Sequence, residues 1–268
     1  MRGICFIGAG KMATAIAGGM VRKNIKTEIH TFDPLPAAAE QFCRTCGGKA
    51  FPSPAAALEN TDAVLLAVKP QYLTGAVEAI RNAIGGRLVI SIVAGATIAA
   101  LEALTGTKRI VRVMPNTPAL VGEGMSCIAA SPSVSEEDLA EAETLLSAVG
   151  LCRRVGENQL DAVTGLSGSG PAFVLESIQA LADGGVYAGL PRATAIELAI
   201  QTVLGSARMA RDAKATVGEL RDAVISPAGT TSRGVMALAE GAFAATVARA
   251  VVSAADRSAE LGALAAKQ

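Results

Sequence analysis

The sequence predicts an α/β fold in which an N-terminal doubly wound, parallel sheet is followed by a domain made only of helices. Up to about residue 150, short apolar runs alternate with helix-like stretches, and beyond about residue 153 long Ala- and Leu-rich helical stretches dominate. Strands that alternate with helices form right-handed βαβ units, which give a parallel sheet. We therefore expect an N-terminal domain over 1–152 and a helical domain over 153–268.

Each expected strand is a short apolar run closed by a turn signal, and each expected helix has helical spacing of its apolar residues. Ser135, followed by acidic residues, suits a helix start, and Pro191 suits the first turn of another helix. The expected strands are residues 3–7, 28–32, 63–68, 88–93, 109–114 and 124–129. The expected helices are residues 13–22, 37–46, 136–150 and 172–184, a stretch after Pro191, and residues 243–261.

Charge and hydropathy argue against two classes of partner. The chain has 24 basic and 24 acidic residues, whereas a nucleic-acid binder normally has a basic excess. No stretch approaches the roughly 18 uninterrupted apolar residues of a membrane span. The first apolar run is short and leads into a Gly-rich turn, unlike a secretory signal. We expect no nucleic-acid partner, no membrane contact and a cytosolic location.

The five cysteines are scattered and odd in number, as is typical of reduced cytosolic thiols. Cys43 and Cys46 form one C-x-x-C pair without a second pair or a nearby His. An incidental pair at a helix end is therefore favoured over a zinc or redox site, and we expect no metal.

A glycine motif follows the first expected strand. Residues 8–13 read G-x-G-x-x-A and open a helix, with Gly8 suited to a tight turn and Gly10 to close approach of a pyrophosphate. Ala13 allows the helix to pack closely on the strand, and the helix N-terminus favours an anion. This Rossmann-type pattern predicts a bound dinucleotide, which makes 1–152 the dinucleotide-binding domain. Lys11 either leans toward a phosphate or is solvated.

Three further strand ends carry polar or turn residues. Asp33 ends the second strand, where it either accepts a ribose 2′-OH, which would favour NAD, or starts the next helix. Lys69 and Pro70 end a later strand, at the edge where strand ends line a cofactor crevice. Asn116 lies between two prolines, either beside the nicotinamide or in a plain rigid turn.

The chain has one histidine, His30, which lies inside the expected second strand. A hydroxyacid dehydrogenase of the common kind needs a His or Lys as proton carrier near the hydride, and His30 is badly placed for that role. A protonated imine fits this limit, because its carbon accepts hydride readily and the enzyme mainly has to orient it.

Two polar loops occur in the helical domain. Residues 226–232 combine Pro227 and Gly229 with Thr230, Thr231 and Ser232 at a helix start, where free N–H groups and hydroxyls suit a carboxylate. A capped turn between helices is the alternative. Residues 164–173 are rich in Gly and Ser, which either permits close helix packing or leaves room for a ligand.

Five blocks resemble the pyrroline-5-carboxylate reductase family, the last enzymes of proline synthesis. They are residues 6–12 (FIGAGKM), 67–70 (AVKP), 114–118 (MPNTP), 166–173 (LSGSGPAF) and 226–231 (SPAGTT). The resemblance runs nearly the whole chain. It implies a Rossmann domain followed by an all-helical dimerisation domain that interlocks between subunits, a homodimer with its active site near the subunit interface, and often assembly into a decamer.

The resemblance also implies hydride transfer from NADPH, or from NADH, to the imine of 1-pyrroline-5-carboxylate, giving L-proline. Thr231 would hydrogen-bond the imine nitrogen as the catalytic residue. The substrate would be held by Ser226, Gly229, Thr230 and Thr231. The cofactor would be contacted by Gly8, Gly10, Lys11, Met12, Ala67, Lys69, Pro70 and Asn116, in addition to Asp33. Family members often have Asn at the position of Lys11 and Gly at that of Ala228.

Two alternatives share parts of this pattern. A 3-hydroxyacid or 6-phosphogluconate dehydrogenase has the same domain plan, but it carries a catalytic Lys on a helix where residues 170–177 offer none. A non-catalytic NAD(P)H-binding sensor would share the glycine motif but has no need of the hydroxyl-rich loop.

Overall fold

The computed structural model describes residues 1–265 as two compact units. The first contains Met1–Ser169 together with residues from Ser253 onward, and the second contains Gly170–Val252. The sequence-based boundary between residues 152 and 153 separates the dinucleotide-binding domain from the substrate and dimerisation domain. That functional boundary stays a prediction.

The first unit is built on one mixed sheet. Within the described residues the strand order is β3-β2-β1-β4-β5-β6-β7-β8, and all neighbours pair in parallel except β6 and β7. The strands are β1 (Gly3–Ile7), β2 (Glu28–Phe32), β3 (Lys49–Ala50), β4 (Ala63–Leu66), β5 (Leu88–Ser91), β6 (Ile110–Met114), β7 (Gly124–Ala130) and β8 (Gly150–Arg154).

The antiparallel pairing of β6 with β7 corrects the expectation of a purely parallel sheet. Residues 115–123 connect the two strands and contain only a 3₁₀ turn, Thr117–Val121. A parallel crossover needs about a dozen residues or more, so this short connection returns the chain antiparallel.

The helices of the first unit cover both faces of the sheet. In the second unit, helices follow directly on one another with no strand between them. The helices in chain order are α1 (Lys11–Arg22), α2 (Pro36–Cys46), α3 (Pro54–Leu58), α4 (Leu73–Glu78), α5 (Arg81–Ile84), α6 (Ile98–Thr105), α7 (Glu136–Leu146), α8 (Leu160–Val163), α9 (Gly170–Tyr187), α10 (Arg192–Asp212), α11 (Val217–Val224), α12 (Thr230–Glu240) and α13 (Phe243–Ala265).

Strand β1 shows why the sheet is buried on both sides. Ile4 and Phe6 belong to one apolar cluster, whereas Cys5 and Ile7 belong to another on the opposite face. Successive side chains of a strand point to opposite faces, so an uninterrupted apolar run needs cover on both. On the first face, Phe6 lies 5.3 Å from Phe42 of α2, measured between ring centroids. This packing holds α1 and α2 beside the carboxyl end of β1.

The second unit buries little of its own apolar surface. Its buried cluster contains only Ala182, Ala195 and Ala199. Many large apolar side chains on its helices are exposed; the most exposed are Tyr187, Val217, Leu175, Val224 and Val252. Exposed apolar residues in such numbers mark a surface that is covered by another molecule.

Within residues 1–265, no single helix is both long and apolar enough to cross a membrane. One bent pair, Thr230–Glu240 with Phe243–Leu264, meets the length and composition required, with a 50° bend between its two helices.

Two strands were not expected from the sequence. Strand β3 has only two residues, and β8 is polar and largely exposed, so neither carries the apolar run that predicts a strand. The helix expected to continue to Gly150 ends at Leu146, because the chain then forms a 3₁₀ turn and enters β8.

Candidate active site

The glycine motif forms a tight turn between β1 and α1. Gly8 has φ +98°, and a Cβ placed on it would lie 2.8 Å from the carbonyl oxygen of Ala67. Its N–H donates to the carbonyl of Phe32 over 2.9 Å. Only glycine tolerates both this backbone conformation and this approach, so the turn is fixed between the ends of β2 and β4.

The next part of the motif leaves space for an anion. Apart from its neighbours in the chain, no residue has an atom within 4 Å of a Cβ built on Gly10, and no side chain caps the N-terminus of α1, which begins at Lys11. Ala13, one turn into the helix, is fully buried against the sheet. The free N–H groups of α1 and the open space beside Gly10 match what a pyrophosphate needs.

Asp33 reaches back to this turn. One carboxylate oxygen accepts a hydrogen bond from the Ala9 N–H over 2.8 Å, and the other accepts one from the Leu35 N–H over 2.9 Å. The carboxylate is therefore held beside the glycine turn as an acceptor. Both interpretations of Asp33 remain compatible with this geometry, since Leu35 immediately precedes α2 and the ribose position adjoins the turn.

A groove of about 520 Å³ runs between the glycine turn and α2. We call it the α1–α2 groove. It contains two cations, Lys11 and Arg22, and polar side chains from α2. Its lining residues are Ala9, Gly10, Lys11, Thr14, Ala15, Arg22, Ala38, Gln41, Thr45 and Leu120.

A second cavity, of about 240 Å³, lies at the carboxyl ends of the central strands. We call it the strand-end cavity. It brings together the predicted Met12, Ala67 and Lys69 with residues that follow β5 and end β6. Its lining residues are Met12, Ala67, Val68, Lys69, Ile92, Ala94, Met114 and Pro115. Pro70 begins the 3₁₀ turn Pro70–Tyr72 directly after Lys69 and does not line the cavity.

Asn116 does not line the strand-end cavity, and its side-chain amide is used within the protein. Its oxygen accepts the Met125 N–H over 2.8 Å, and its nitrogen donates to the Ser167 carbonyl over 3.0 Å. Contact between Asn116 and the cofactor stays a prediction.

The second unit contains the hydroxyl-rich loop at the start of α12. The helix begins at Thr230, so that Thr230, Thr231 and Ser232 form its first turn, as expected from the sequence. No side chain caps this helix start. Ser232 donates its hydroxyl to the Gly229 carbonyl over 2.8 Å, while Thr231 is half-buried. The N–H groups of the first turn thus have no capping side chain, unlike in the capped turn considered as the alternative.

The loop before α12 is tightly wound. A Cβ on Gly229 would lie 2.1 Å from the Ser226 hydroxyl oxygen and 3.2 Å from the Ser226 carbonyl oxygen, so any other residue there would displace the Ser226 side chain. Ala228 has φ +55°, in the left-handed region that non-glycine residues adopt at a cost. The loop therefore carries local backbone strain at the position where family members often have Gly.

The histidine and the cysteines take no part in either site. His30 is buried in β2, with Nδ1 2.9 Å from the Ala57 carbonyl oxygen. Burial raises the pKa of the Cys5 thiol to about 12 and that of Cys46 to about 11. In the described part of the chain, no group of His, Cys, Asp or Glu side chains is arranged to hold a metal ion.

Sequence reasoning missed several lining residues. Ile92 and Ala94 follow β5, and the strand-end rule that selected Lys69 and Pro70 would have found them too. Arg22 and Gln41 lie within helices, and their place in the groove depends on how α1 packs beside α2.

Comparisons with known proteins match both parts of the chain. Residues 157–261 match the family described as pyrroline-5-carboxylate reductase dimerisation, and residues 3–95 match the family described as NADP oxidoreductase coenzyme F420-dependent. The chain is 43% identical over 263 residues to a pyrroline-5-carboxylate reductase of Arabidopsis thaliana, covering 96% of this chain and 94% of that protein.

Solved structures agree. A pyrroline-5-carboxylate reductase from Coxiella burnetii superposes with a TM-score of 0.92 at 34% identity, covering 96% of this chain and 97% of that one. A Plasmodium falciparum pyrroline carboxylate reductase with NADP bound gives a TM-score of 0.86 at 31% identity, covering 97% and 98%. Neither the hydroxyacid dehydrogenase nor the sensor is favoured by these relatives. The similarity spans both units and nearly the full length, and the chain belongs to the pyrroline-5-carboxylate reductase family.

Proposed function

We propose that this protein reduces 1-pyrroline-5-carboxylate to L-proline with NAD(P)H. The observation that carries the proposal is the full-length similarity to reductases of that name, at 43% identity over 263 residues. The local geometry supports it, because the glycine turn suits a dinucleotide and the start of α12 suits a small carboxylate. The match of the Rossmann-type domain to an NADP oxidoreductase family makes the protein an NAD(P)H-dependent oxidoreductase. The match of the helical domain to a dimerisation family means that it assembles with copies of itself.

The cofactor would lie along the carboxyl edge of the sheet. Gly8 and Gly10 would admit the pyrophosphate, and Lys11 would approach it from the α1–α2 groove. Met12, Ala67 and Lys69 would border the nicotinamide in the strand-end cavity. When bound, the reduced nicotinamide supplies the hydride. The residues of this chain position the ring and exclude water from it.

The substrate would be held by the loop 226–231. Its carboxylate would accept hydrogen bonds from the free N–H groups of Thr230 and Thr231. The protonated imine nitrogen would donate to the Thr231 hydroxyl. Hydride addition would form a C–H bond at the imine carbon, and the two π electrons of the C=N bond would move to the positively charged nitrogen. The product is a neutral amine, which takes up a proton from water. The chemistry needs no histidine, in agreement with the burial of His30 away from the strand ends.

Asp33 would act against a 2′-phosphate on the adenosine ribose. Its carboxylate is held by two backbone N–H groups beside the glycine turn, and residues 34–39 contain no cation that would pair with a 2′-phosphate. A ribose 2′-OH can donate to this carboxylate, whereas a 2′-phosphate would be repelled by it. Lys11 and Arg22 bring positive charge into the adjoining α1–α2 groove, so NADPH and NADH both stay within the proposal.

We also propose that the protein forms a homodimer with its active site near the subunit interface. These dimers would assemble further into a decamer. The exposed apolar helices of residues 170–252 support an extensive interface between subunits. A cytosolic location is part of the same proposal and is supported by the five unpaired thiols. Light scattering coupled to size-exclusion chromatography measures the number of subunits; a monomer would contradict the assembly.

One assay tests the reaction. The purified protein is mixed with NADH or NADPH, and the absorbance of the reduced nicotinamide is followed after addition of 1-pyrroline-5-carboxylate. We expect consumption of cofactor and formation of L-proline. Oxidation of a 3-hydroxyacid with no imine reduction, or tight cofactor binding without consumption, would contradict the proposal.

A further inference from the structure

The carbonyl of Ser167 lacks the N–H donor that an α-helix would give it four residues later. Ser167 lies in a π-helical turn, Thr164–Gly168, that directly precedes α9. In an α-helix this carbonyl would accept the N–H of the residue four positions later, but that residue is Pro171, which has no N–H. The amide nitrogen of Asn116 takes its place, donating to the Ser167 oxygen over 3.0 Å.

The same amide also fixes the connection between β6 and β7. Its oxygen accepts the N–H of Met125, the second residue of β7, over 2.8 Å. Asn116 is half-buried, and its backbone carbonyl accepts the Ala119 N–H over 3.2 Å. Both ends of the side-chain amide are thus used by backbone groups, and exchanging its oxygen and nitrogen would break both bonds.

A second contact couples the π-helical turn to the strand-end cavity. A Cβ placed on Gly168 would lie 2.6 Å from the terminal methyl carbon of Met114, so the turn packs directly on that side chain. Met114 and Pro115 form one wall of the cavity. A shift of the turn would therefore move the wall against which the proposed nicotinamide lies. π-Helical turns inside helices occur frequently at functional sites.

We propose that Asn116 is a positioning residue for hydride transfer: its amide locks the wall formed by Met114 and Pro115 to the π-helical turn before α9. This role rests on the proposed function. It differs from direct contact with the cofactor, because Asn116 acts through Ser167 and Met125. Cofactor binding depends mainly on the glycine turn and the α1–α2 groove, so a change at Asn116 should affect the rate of hydride transfer more than cofactor affinity.

The test uses Asn116→Asp, which keeps the shape and the acceptor for Met125 but replaces the donor to Ser167 with a second acceptor. We expect kcat to fall about tenfold or more, the dissociation constant of NADH measured by calorimetry to stay within about twofold, and the isotope effect with deuterated NADH to rise. Asn82→Asp, on the exposed surface of α5, makes the same chemical change away from the site and should have no effect.

Pro171→Ala supplies the missing N–H and sharpens the test. In that background Ser167 has a helical donor, so Asn116→Asp should cost less in kcat and in thermal stability than it does alone. An unchanged kcat with lowered thermal stability would overturn the proposal in favour of a purely structural role. A tenfold loss of NADH affinity would overturn it in favour of direct contact. If the wild-type protein reduces no pyrroline substrate, the proposed function fails. The thermal stabilities of the two single variants and the double variant still test the hydrogen bond between Asn116 and Ser167. Additive losses of stability in the double variant would overturn the proposed coupling.

Discussion

The carboxylate of Asp33 accepts a 2.8 Å hydrogen bond from the backbone N–H of Ala9, the residue between the first two glycines of the dinucleotide motif. The bond joins the end of β2 to the turn that begins α1. A negative charge is thereby held where the adenosine ribose of a bound cofactor lies in Rossmann folds.

Replacing Asp33 by Asn should shift cofactor selectivity toward NADPH. The amide oxygen can still accept from Ala9, although the hydrogen bond from the Leu35 N–H is lost, and the charge that repels a 2′-phosphate is removed. We expect the dissociation constant of NADPH to fall about tenfold, a change of ~1.4 kcal/mol, with a much smaller change for NADH. Calorimetry with each cofactor measures this. Glu40→Gln removes an exposed charge from α2 as the control. An unchanged ratio of the two dissociation constants in the Asn variant would refute the role of Asp33.

Thr231→Ala should lower catalytic efficiency ten- to a hundredfold. A hydrogen bond to a charged group contributes roughly 1.5–3 kcal/mol, and each ~1.4 kcal/mol corresponds to a factor of ten in rate. Steady-state kinetics with 1-pyrroline-5-carboxylate measures the loss. Thr231→Ser keeps the hydroxyl and should retain most of the activity. Turnover of the Ala variant at the wild-type rate would remove Thr231 from the mechanism.

Ala228→Gly should stabilise the protein. Ala228 has φ +55°, and glycine adopts this conformation without the steric cost that a Cβ imposes, which is roughly 1–2 kcal/mol. The greater freedom of glycine in the unfolded chain offsets part of the gain, so we expect a net increase of about 0.5–1 kcal/mol. Denaturant unfolding at fixed protein concentration measures it. Ala239→Gly, the same substitution at an exposed position inside α12, should instead destabilise by about 1 kcal/mol. Destabilisation by Ala228→Gly would show that the loop is not strained.

The free energy of unfolding should fall at high pH because several thiols are buried. Burial raises the pKa of Cys5 to about 12, of Cys46 to about 11 and of Cys152 to about 12, against an ordinary value of 9.0. Below about 9 the thiols are protonated in both the folded and the unfolded chain, so their contribution to stability is fully present. As the pH rises from 9 toward 12, the unfolded chain loses these protons first and the contribution is lost.

Thiolate absorbance measures this effect. In the native protein these thiols should titrate about two to three pH units above those of the unfolded chain. Cys46→Ala should reduce the fall in stability above pH 9. Rapid thiol labelling of the native protein near pH 8, at the rate of the unfolded chain, would be inconsistent with their burial.

Prediction from sequence succeeded where local signals were strong. Strands β1 and β2 lie at the predicted residues, and α1 and α2 begin within two residues of their predicted starts, because apolar runs and glycine turns are local features. The direction of β7 was wrong, because it depends on a connection too short for a crossover. Strand β8 escaped prediction because its polar, exposed sequence pairs only at the sheet edge.

The candidate sites likewise combine residues that local motifs predict with contacts that only the folded chain shows. The residues of the glycine motif line the predicted edge of the sheet because the motif itself dictates its conformation. The partners of Asn116 lie 9 and 51 residues away in the sequence, so only the folded chain shows which groups its amide serves. The helix start at Thr230–Ser232 was expected from Pro227 and Gly229, and the structure confirms that α12 begins at Thr230.

The most direct test of the account is a crystal structure of the assembled protein with oxidised cofactor and L-proline bound. We predict that the proline carboxylate lies within hydrogen-bonding distance of the backbone N–H groups of Thr230 and Thr231, and that its ring nitrogen contacts the Thr231 hydroxyl beside a nicotinamide ring. Residues 226–232 lying far from the nicotinamide of both their own and every neighbouring subunit would contradict the proposed reaction.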